Sequence, residues 1–271
     1  MTDRMKDKVV FITGAARGQG RAHAVELASE GADIIAVDVC AAPAVMDYDA
    51  ATPEDLQETV AAVEALGRRI VHRVVDVRDL AGLESVVRDG VEKLGRIDAV
   101  VANAGFVTWG RFWEIDPQTW DDVVAVNLTG VFNTMRAAVP AMIEGGRGGS
   151  IIITSSVAGL KSLPAQAPYS AAKSGVVGLA KTAAIELAEY GIRVNTIHPW
   201  GVTTKMGVIG SDGQAVFGSH PDYGPLLQQI LKEPRQSSPE DIANLVVFLA
   251  SDESRTITAA QIPIDHGATK V

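Results

Sequence analysis

Gly14, Gly18 and Gly20 fall in the stretch TGAARGQG (residues 13–20), directly behind the apolar run VVFI. Glycines at such a point suit one kind of chemistry. They let the backbone approach a phosphate, and a helix that starts there turns free N–H groups and a partial positive charge toward it. A plain turn tolerant of glycine would carry the same residues, so their placement matters. A strand-like run precedes them and a helical pattern from Arg21 to Glu30 follows. That is the position at which a doubly wound sheet binds a pyrophosphate. Asp38 closes the next apolar run, twenty positions after Gly18. A carboxylate there accepts hydrogen bonds from both hydroxyls of an adenosine ribose and repels a 2′-phosphate.

These residues need a sheet to hold them. KVVFIT (8–13), ADIIAVD (32–38), RIVHRVVD (69–76), IDAVVAN (97–103), SIIITS (150–155), IRVNTI (192–197) and QIPID (261–265) read as seven strands. Most are β-branched on both faces, as strands buried on both sides tend to be. Helix starts lie between them. Thr52-Pro53-Glu54-Asp55 offers an N-cap, a proline at the first helical position and acids in the first turn, and Asp116-Pro117 and Ser238-Pro239-Glu240-Asp241 repeat the device. The pattern predicts one α/β domain over 1–271, a doubly wound Rossmann fold whose seven-stranded parallel sheet is covered by helices on both faces. Two stretches break the alternation. Residues 39–51 make a long strand–helix connection on the cofactor side. Residues 199–237 form an irregular segment with apolar Met206, Ile209, Phe217, Tyr223, Leu226 and Leu227, expected to be a substrate lid.

Composition narrows the function classes. With 47% hydrophobic and 21% charged residues, the 271-residue chain can bury a large core. A formal charge of −9 and the lack of a basic face argue against nucleic acid. Cys40 is the single cysteine, so no internal disulfide forms, as suits a reducing cytoplasm. The start, MTDRMKDKVVFITG, reads into a strand and not a signal peptide, and no window reaches the roughly 20 apolar residues of a membrane span. The histidines at 23, 72, 198, 220 and 266 show no metal-ligand spacing, so no metal is expected.

The glycine spacing T-G-x-x-x-G-x-G resembles the cofactor motif of the short-chain dehydrogenase/reductase superfamily, and the rest of the chain agrees from about Lys8 to Gly267. VANAG (101–105), with Asn103, Ala104 and Gly105, resembles the family's turn after the fourth strand. Asp76-Val77 matches the pair that holds the adenine ring, and HPWGVTTKM (198–206), with Pro199, Gly201, Val202, Thr204 and Met206, resembles the nicotinamide-binding turn. Arg17, Gln19 and Val39 complete the implied NAD contacts. Asn127 in VNLTG, Ser156 in TSSVAG, and Tyr169 with Lys173 in YSAAK match the catalytic tetrad. Ser156 precedes Tyr169 by the family's thirteen residues, which selects it over Ser155.

The tetrad implies alcohol oxidation by hydride transfer to NAD. A tyrosine with an ordinary pKa of about 10 is a poor base at neutral pH. Lys173 lies one helical turn after Tyr169, on the same helix face, and its ammonium together with the positive nicotinamide favours phenolate. Ser156 is placed to hold the substrate oxygen, and the resemblance gives Asn127 a water that links Lys173 to solvent. Three positions depart from expectation. Arg17 is a residue of NADP-preferring relatives, but the carboxylate of Asp38 opposes a 2′-phosphate directly, so Arg17 is expected to pair with pyrophosphate or an acid. Gln19 stands where an aliphatic residue is usual, and Trp200 replaces the glycine after Pro199.

GAARGQGR, the long 39–51 connection, NLTGVFNT, GGRGGS and SSVAGLK resemble the carveol dehydrogenase-like, mycofactocin-associated branch. That resemblance implies an apolar, terpenoid-like secondary alcohol, tightly held NAD and an external redox partner. It also implies a homotetramer built on the helices around 117–145 and 168–190. Trp109, Trp113, Leu160, Trp200 and Phe217 are expected to face substrate, and 39–51 to cover the adenosine half of NAD. Two alternatives stay open: a ketoreductase with exchangeable NAD(P)H acting on acyl or steroid ketones, and a non-enzymatic NAD-binding protein.

Overall fold

The structure is a computed structural model that describes residues 3–271. Its sheet has seven strands: β1 (Val9–Thr13), β2 (Asp33–Asp38), β3 (Ile70–Val74), β4 (Ala99–Ala102), β5 (Gly149–Thr154), β6 (Ile192–Pro199) and β7 (Gln261–Ile264). They run in the order β3-β2-β1-β4-β5-β6-β7 with every pairing parallel. The order reverses between β1 and β4. The crevice at that switch point, above the strand C-termini, is where a doubly wound sheet takes its ligand.

Alternation along each strand divides the core into two layers. Val9, Phe11, Ile35, Val37, Val100, Ile151 and Ile153 face one side, under α3 (Leu80–Leu94), α5 (Gly130–Gly145) and α6 (Ala167–Glu186). Val10, Ile12, Ile34, Ala36, Val101 and Ile152 face the other, under α1 (Gly18–Ser29), α2 (Pro53–Ala65) and α8 (Pro239–Ala250). The expected caps form. Thr52 and Asp55 make a reciprocal capping box on α2, Ser238 and Asp241 make one on α8, and Asp116 caps α4 (Pro117–Val124) through the Gln118 amide.

Three local differences from the sequence reading bear on the site. Helix α1 begins at Gly18, three residues before Arg21, so the glycine loop itself forms its first turn. Between α4 and α5 the chain widens into a π-helical turn over Ala125–Thr129. The irregular 199–237 segment contains α7 (Ser211–Ser219) and a 3₁₀ stretch at Pro221–Leu227. Helix α7 buries only Gly213, so its sequence carries no apolar stripe by which to recognise it.

Candidate active site

The glycine loop is built for close approach. Gly14 and Gly18 take left-handed φ values of +69° and +55°, and a side chain on Gly20 would drive into the Gly14 carbonyl. A Cβ on Gly14 would meet the Ala104 Cα at 2.9 Å, which locks the loop against the turn after β4. Asn103 ties the two strands further, its amide Nδ2 donating to the Thr13 carbonyl at 3.1 Å. The Ala104 N–H donates to Thr13 Oγ1 at 3.2 Å.

Asp38, buried at the end of β2, accepts from the Ala16 N–H at 3.0 Å and the Cys40 N–H at 2.9 Å. Those two bonds orient the carboxylate and leave lone pairs for ribose hydroxyls. Val39 beside it is exposed. Burial would raise the Asp76 carboxyl, but hydrogen bonds and charge from Arg78 outweigh it and hold the group below its ordinary value. Val77 packs against Gly130, and its carbonyl accepts from Asn133 Nδ2 at 3.0 Å. Across the crevice, Thr204 packs on Gly18, where a Cβ would lie 3.2 Å from its methyl. Gly201 and Val202, just past Pro199, pair with Ser237. A dinucleotide fits this set: a loop open to pyrophosphate, a carboxylate for ribose, and a second wall at 199–206.

The tetrad residues meet at the other end of the crevice. Lys173 is 2% exposed and donates from Nζ to the Thr154 carbonyl at 2.8 Å. Its Nζ lies 5.5 Å from the Tyr169 ring centroid. A Cβ on Gly105 would fall 2.5 Å from Asn127 Oδ1 and 3.4 Å from Lys173 Nζ, so Gly105 marks the point where these two side chains converge. The π-helical turn brings the Asn127 carboxamide onto the carbonyls of Phe106 (2.9 Å) and Val123 (3.0 Å), each accepting from Nδ2. Its Oδ1 is buried without a protein partner, as a group that holds water would be.

Ser156 starts a short turn and accepts from the Ala158 N–H at 3.1 Å. His198 braces it from β6, with Nδ1 at 2.8 Å from the Ser156 carbonyl and Nε2 at 2.8 Å from Thr196 Oγ1. Burial depresses the His198 pKa, so the ring acts as a neutral strut. Ser155 is committed elsewhere, its hydroxyl donating to the Lys173 carbonyl at 2.8 Å. Burial pushes the Tyr169 phenol up to about 12, while the Ser156 hydroxyl pulls it down. Burial brings Lys173 down to about 8. A phenol and an ammonium out of water each favour the other's charged form, so together they can store and release one proton.

A family model described as short chain dehydrogenase matches residues 8–212. The chain belongs to that family. It is an enzyme, a short-chain alcohol dehydrogenase. An uncharacterized NAD-dependent oxidoreductase of Mycobacterium tuberculosis is 51% identical over 266 residues, spanning 97% of this chain and 96% of the relative. The crystal structure of a short chain dehydrogenase from Mycobacterium paratuberculosis bound to NAD is 51% identical, with a TM-score of 0.96, covering 99% of this chain and 100% of that one. That of carveol dehydrogenase from Mycobacterium avium in complex with NAD is 46% identical, with a TM-score of 0.93 and 99% of both chains covered.

The surroundings of Tyr169 in this short-chain dehydrogenase differ from the sequence reading. Phe106, Val107, Val123, Ala158 and Tyr169 form a small buried cluster, and Val45, Met46, Tyr48, Trp109, Leu163 and Met206 pack on it. Residues 39–51, expected over the adenosine half of NAD, bring Val45, Met46 and Tyr48 to the cluster that contains Tyr169. The Arg17 guanidinium donates to the Ala50 carbonyl at 2.7 Å and to the Asp49 carbonyl, tying the connection to the glycine loop. Trp109 joins the cluster and meets Phe217 of α7 edge-on at 5.4 Å between ring centroids. Trp113 does not reach it. That ring is 61% exposed, edge-on to Phe112 at 5.0 Å between ring centroids and lying under the Arg111 guanidinium. Leu160 is exposed at 41%, and Trp200 is half-buried, its N–H bonded to the Ile264 carbonyl. Gln19 keeps a buried Oε1 without a partner. Among the described residues no group of side chains could hold a metal ion, and no helix is long and apolar enough to cross a membrane.

Proposed function

We propose that this dehydrogenase oxidises apolar, terpenoid-like secondary alcohols of the carveol type to ketones while holding its NAD tightly. The cofactor is NAD, which when bound accepts the carbinol hydride at nicotinamide C4. Tyr169 Oη takes the hydroxyl proton, aided by the Lys173 ammonium. Ser156 Oγ holds the alcohol oxygen, and Asn127 Oδ1 anchors the water through which Lys173 exchanges its proton. Gly14, Gly18 and Gly20 take the pyrophosphate, Asp38 the adenosine ribose, and Asp76-Val77 the adenine. The 199–206 turn takes the nicotinamide. The observation that supports an apolar substrate is the cluster that holds Tyr169, which includes Phe106 and Val107 and has Leu163 and Met206 packed against it. The similarity to carveol dehydrogenase supports the same substrate class.

Residues 39–51 close over the cofactor and 199–237 act as a lid on a single catalytic domain. Such closure slows NAD release and leaves an external acceptor of the mycofactocin type to reoxidise bound NADH. The chain works in the cytoplasm as a homotetramer, and the exposed Trp120, Phe132 and Ile185 on α4, α5 and α6 supply apolar surface for it. The test is to desalt the purified protein, assay it for nicotinamide, and offer it cyclic secondary alcohols, sugars and charged hydroxy acids. Retained NAD with best activity on cyclic alcohols supports the proposal. An empty protein that turns over freely with added NAD points to the exchangeable ketoreductase, and best activity on a charged hydroxy acid contradicts the substrate class.

A further inference from the structure

Residues 39–51 run as a strap from the glycine loop to the 205–210 segment, held at several points. Behind Asp38, the Cys40 N–H donates to that carboxylate, and Arg17 grips the Asp49 and Ala50 carbonyls. On the far side Asp49 faces Lys205 at 3.4 Å. The buried Asp47 carboxylate lies against Gly210 at the start of α7, so close that a Cβ there would collide with it. Between these anchors Val45, Met46 and Tyr48 pack on the Tyr169 cluster.

Tyr48 is the polar member of this apolar group. Its hydroxyl is sealed from solvent without a well-formed hydrogen bond. Burial raises its pKa, the Val107 backbone, as a hydrogen-bonding neighbour, lowers it, and the Tyr169 phenol raises it further. A buried hydroxyl left unsatisfied costs about 1–3 kcal/mol, a cost that disappears when a ligand supplies the partner. Phe106, Val107 and Tyr48 pack in the cluster that contains Tyr169, the residue that takes the carbinol proton in the proposed reaction.

We infer that Tyr48 is a specificity-determining residue of the alcohol site: its ring walls the compartment over Tyr169, and its hydroxyl bonds a second oxygen on the substrate. The segment that retains the cofactor thus also selects the alcohol. This inference rests on the reading of the protein as an alcohol dehydrogenase that uses bound NAD, and it adds a preference for cyclic alcohols that carry another hydroxyl or carbonyl group.

The test compares cyclohexanol with the three regioisomeric cyclohexanediols and with a bulky alkyl-substituted cyclohexanol, using NAD-loaded protein and an artificial electron acceptor. The wild type should favour one diol over cyclohexanol. In Tyr48→Phe that kcat/KM ratio should fall about tenfold to a hundredfold, mainly through KM. In Tyr48→Ala the bulky alcohol should rise relative to cyclohexanol. Bound NAD, assayed in each variant, reports an intact fold. A wild type with no diol preference, or variants that keep the wild-type ranking of diols and bulky alcohol, overturns the inference while leaving alcohol oxidation intact. A wild type that oxidises no secondary alcohol overturns both.

Discussion

The floor of the crevice and its cover are built on opposite terms. On the floor, Asn127 is fully buried, Lys173 is 2% exposed, and Tyr169 is 9% exposed. Each is fixed by neighbours on strands or long helices. The proposed cover is 39–51 and 199–237, where few residues are buried and Leu226, Ile230 and Leu231 are more than half exposed. Its attachments include backbone carbonyls held by Arg17, the Ile230 and Leu231 N–H groups on the His266 carbonyl, one exposed ion pair and a small apolar patch. Exposed ion pairs contribute little, on the order of 0–1 kcal/mol. The difference separates duties. On the proposed reading, bond-making belongs to the buried part, and retention and selection belong to the more exposed part, where local opening costs less.

Changes on the floor should therefore have large and specific effects. Asp38→Ala removes the charge that a 2′-phosphate would face at a buried site. Like charges so placed cost several kcal/mol, so the preference for NAD over NADP should drop by about 100-fold or more in paired Kd measurements. An unchanged preference would mean that another group reads the ribose.

Lys173 allows a test in which lost function brings gained stability. Its pKa of about 8 lies below the 10.5 of an exposed lysine, so burying its charge works against folding. That shift corresponds to about 3 kcal/mol, less about 1 for the hydrogen bond lost to the Thr154 carbonyl. NAD-free Lys173→Met should thus be about 2 kcal/mol more stable than wild type at pH 7 by denaturant unfolding. The penalty is complete below about pH 8, where the lysine is charged in both states. It shrinks between 8 and 10.5, where only the unfolded chain still binds the proton. The gain of the variant should fade over that window. A variant less stable at pH 7 would show that Lys173 is a structural cation.

The cover should give the smallest effect. Shortening 41–50 to a brief Gly/Ser turn should speed NAD dissociation about tenfold, equivalent to about 1.4 kcal/mol, with the association rate less affected. Stopped-flow displacement measures it. An unchanged off-rate would leave the strap without a part in retention.

Legibility in the sequence follows the same division. The strands, the caps at Thr52, Asp116 and Ser238, and the glycine loop are visible because each is a local pattern, and local patterns report local backbone. Tyr169 and Lys173 are visible because a helix turns four residues into neighbours. The π-helical turn at 125–129 is hidden, since no glycine or proline opens it and its cause is the fit of Asn127 against Phe106 and Val123. Tyr48 is hidden for a stronger reason. A connection's length and apolar content say that it packs, but its landing place depends on Arg17, Gly210 and the Tyr169 cluster, all distant in the chain. Trp113 misled in the other direction: a large aromatic beside the site looks like a wall, yet Phe112 and Arg111 hold it at the surface.

The most direct test is a single turnover. Wild-type and Tyr169→Phe proteins, each loaded with one equivalent of NAD, are mixed with saturating cyclic secondary alcohol, and bound NADH is followed by absorbance. If the phenol oxygen is the base, the variant keeps its NAD and loses a factor of about 10²–10⁴ in the rate of NADH formation. A Tyr169→Phe protein that forms NADH within tenfold of the wild-type rate would contradict the assignment.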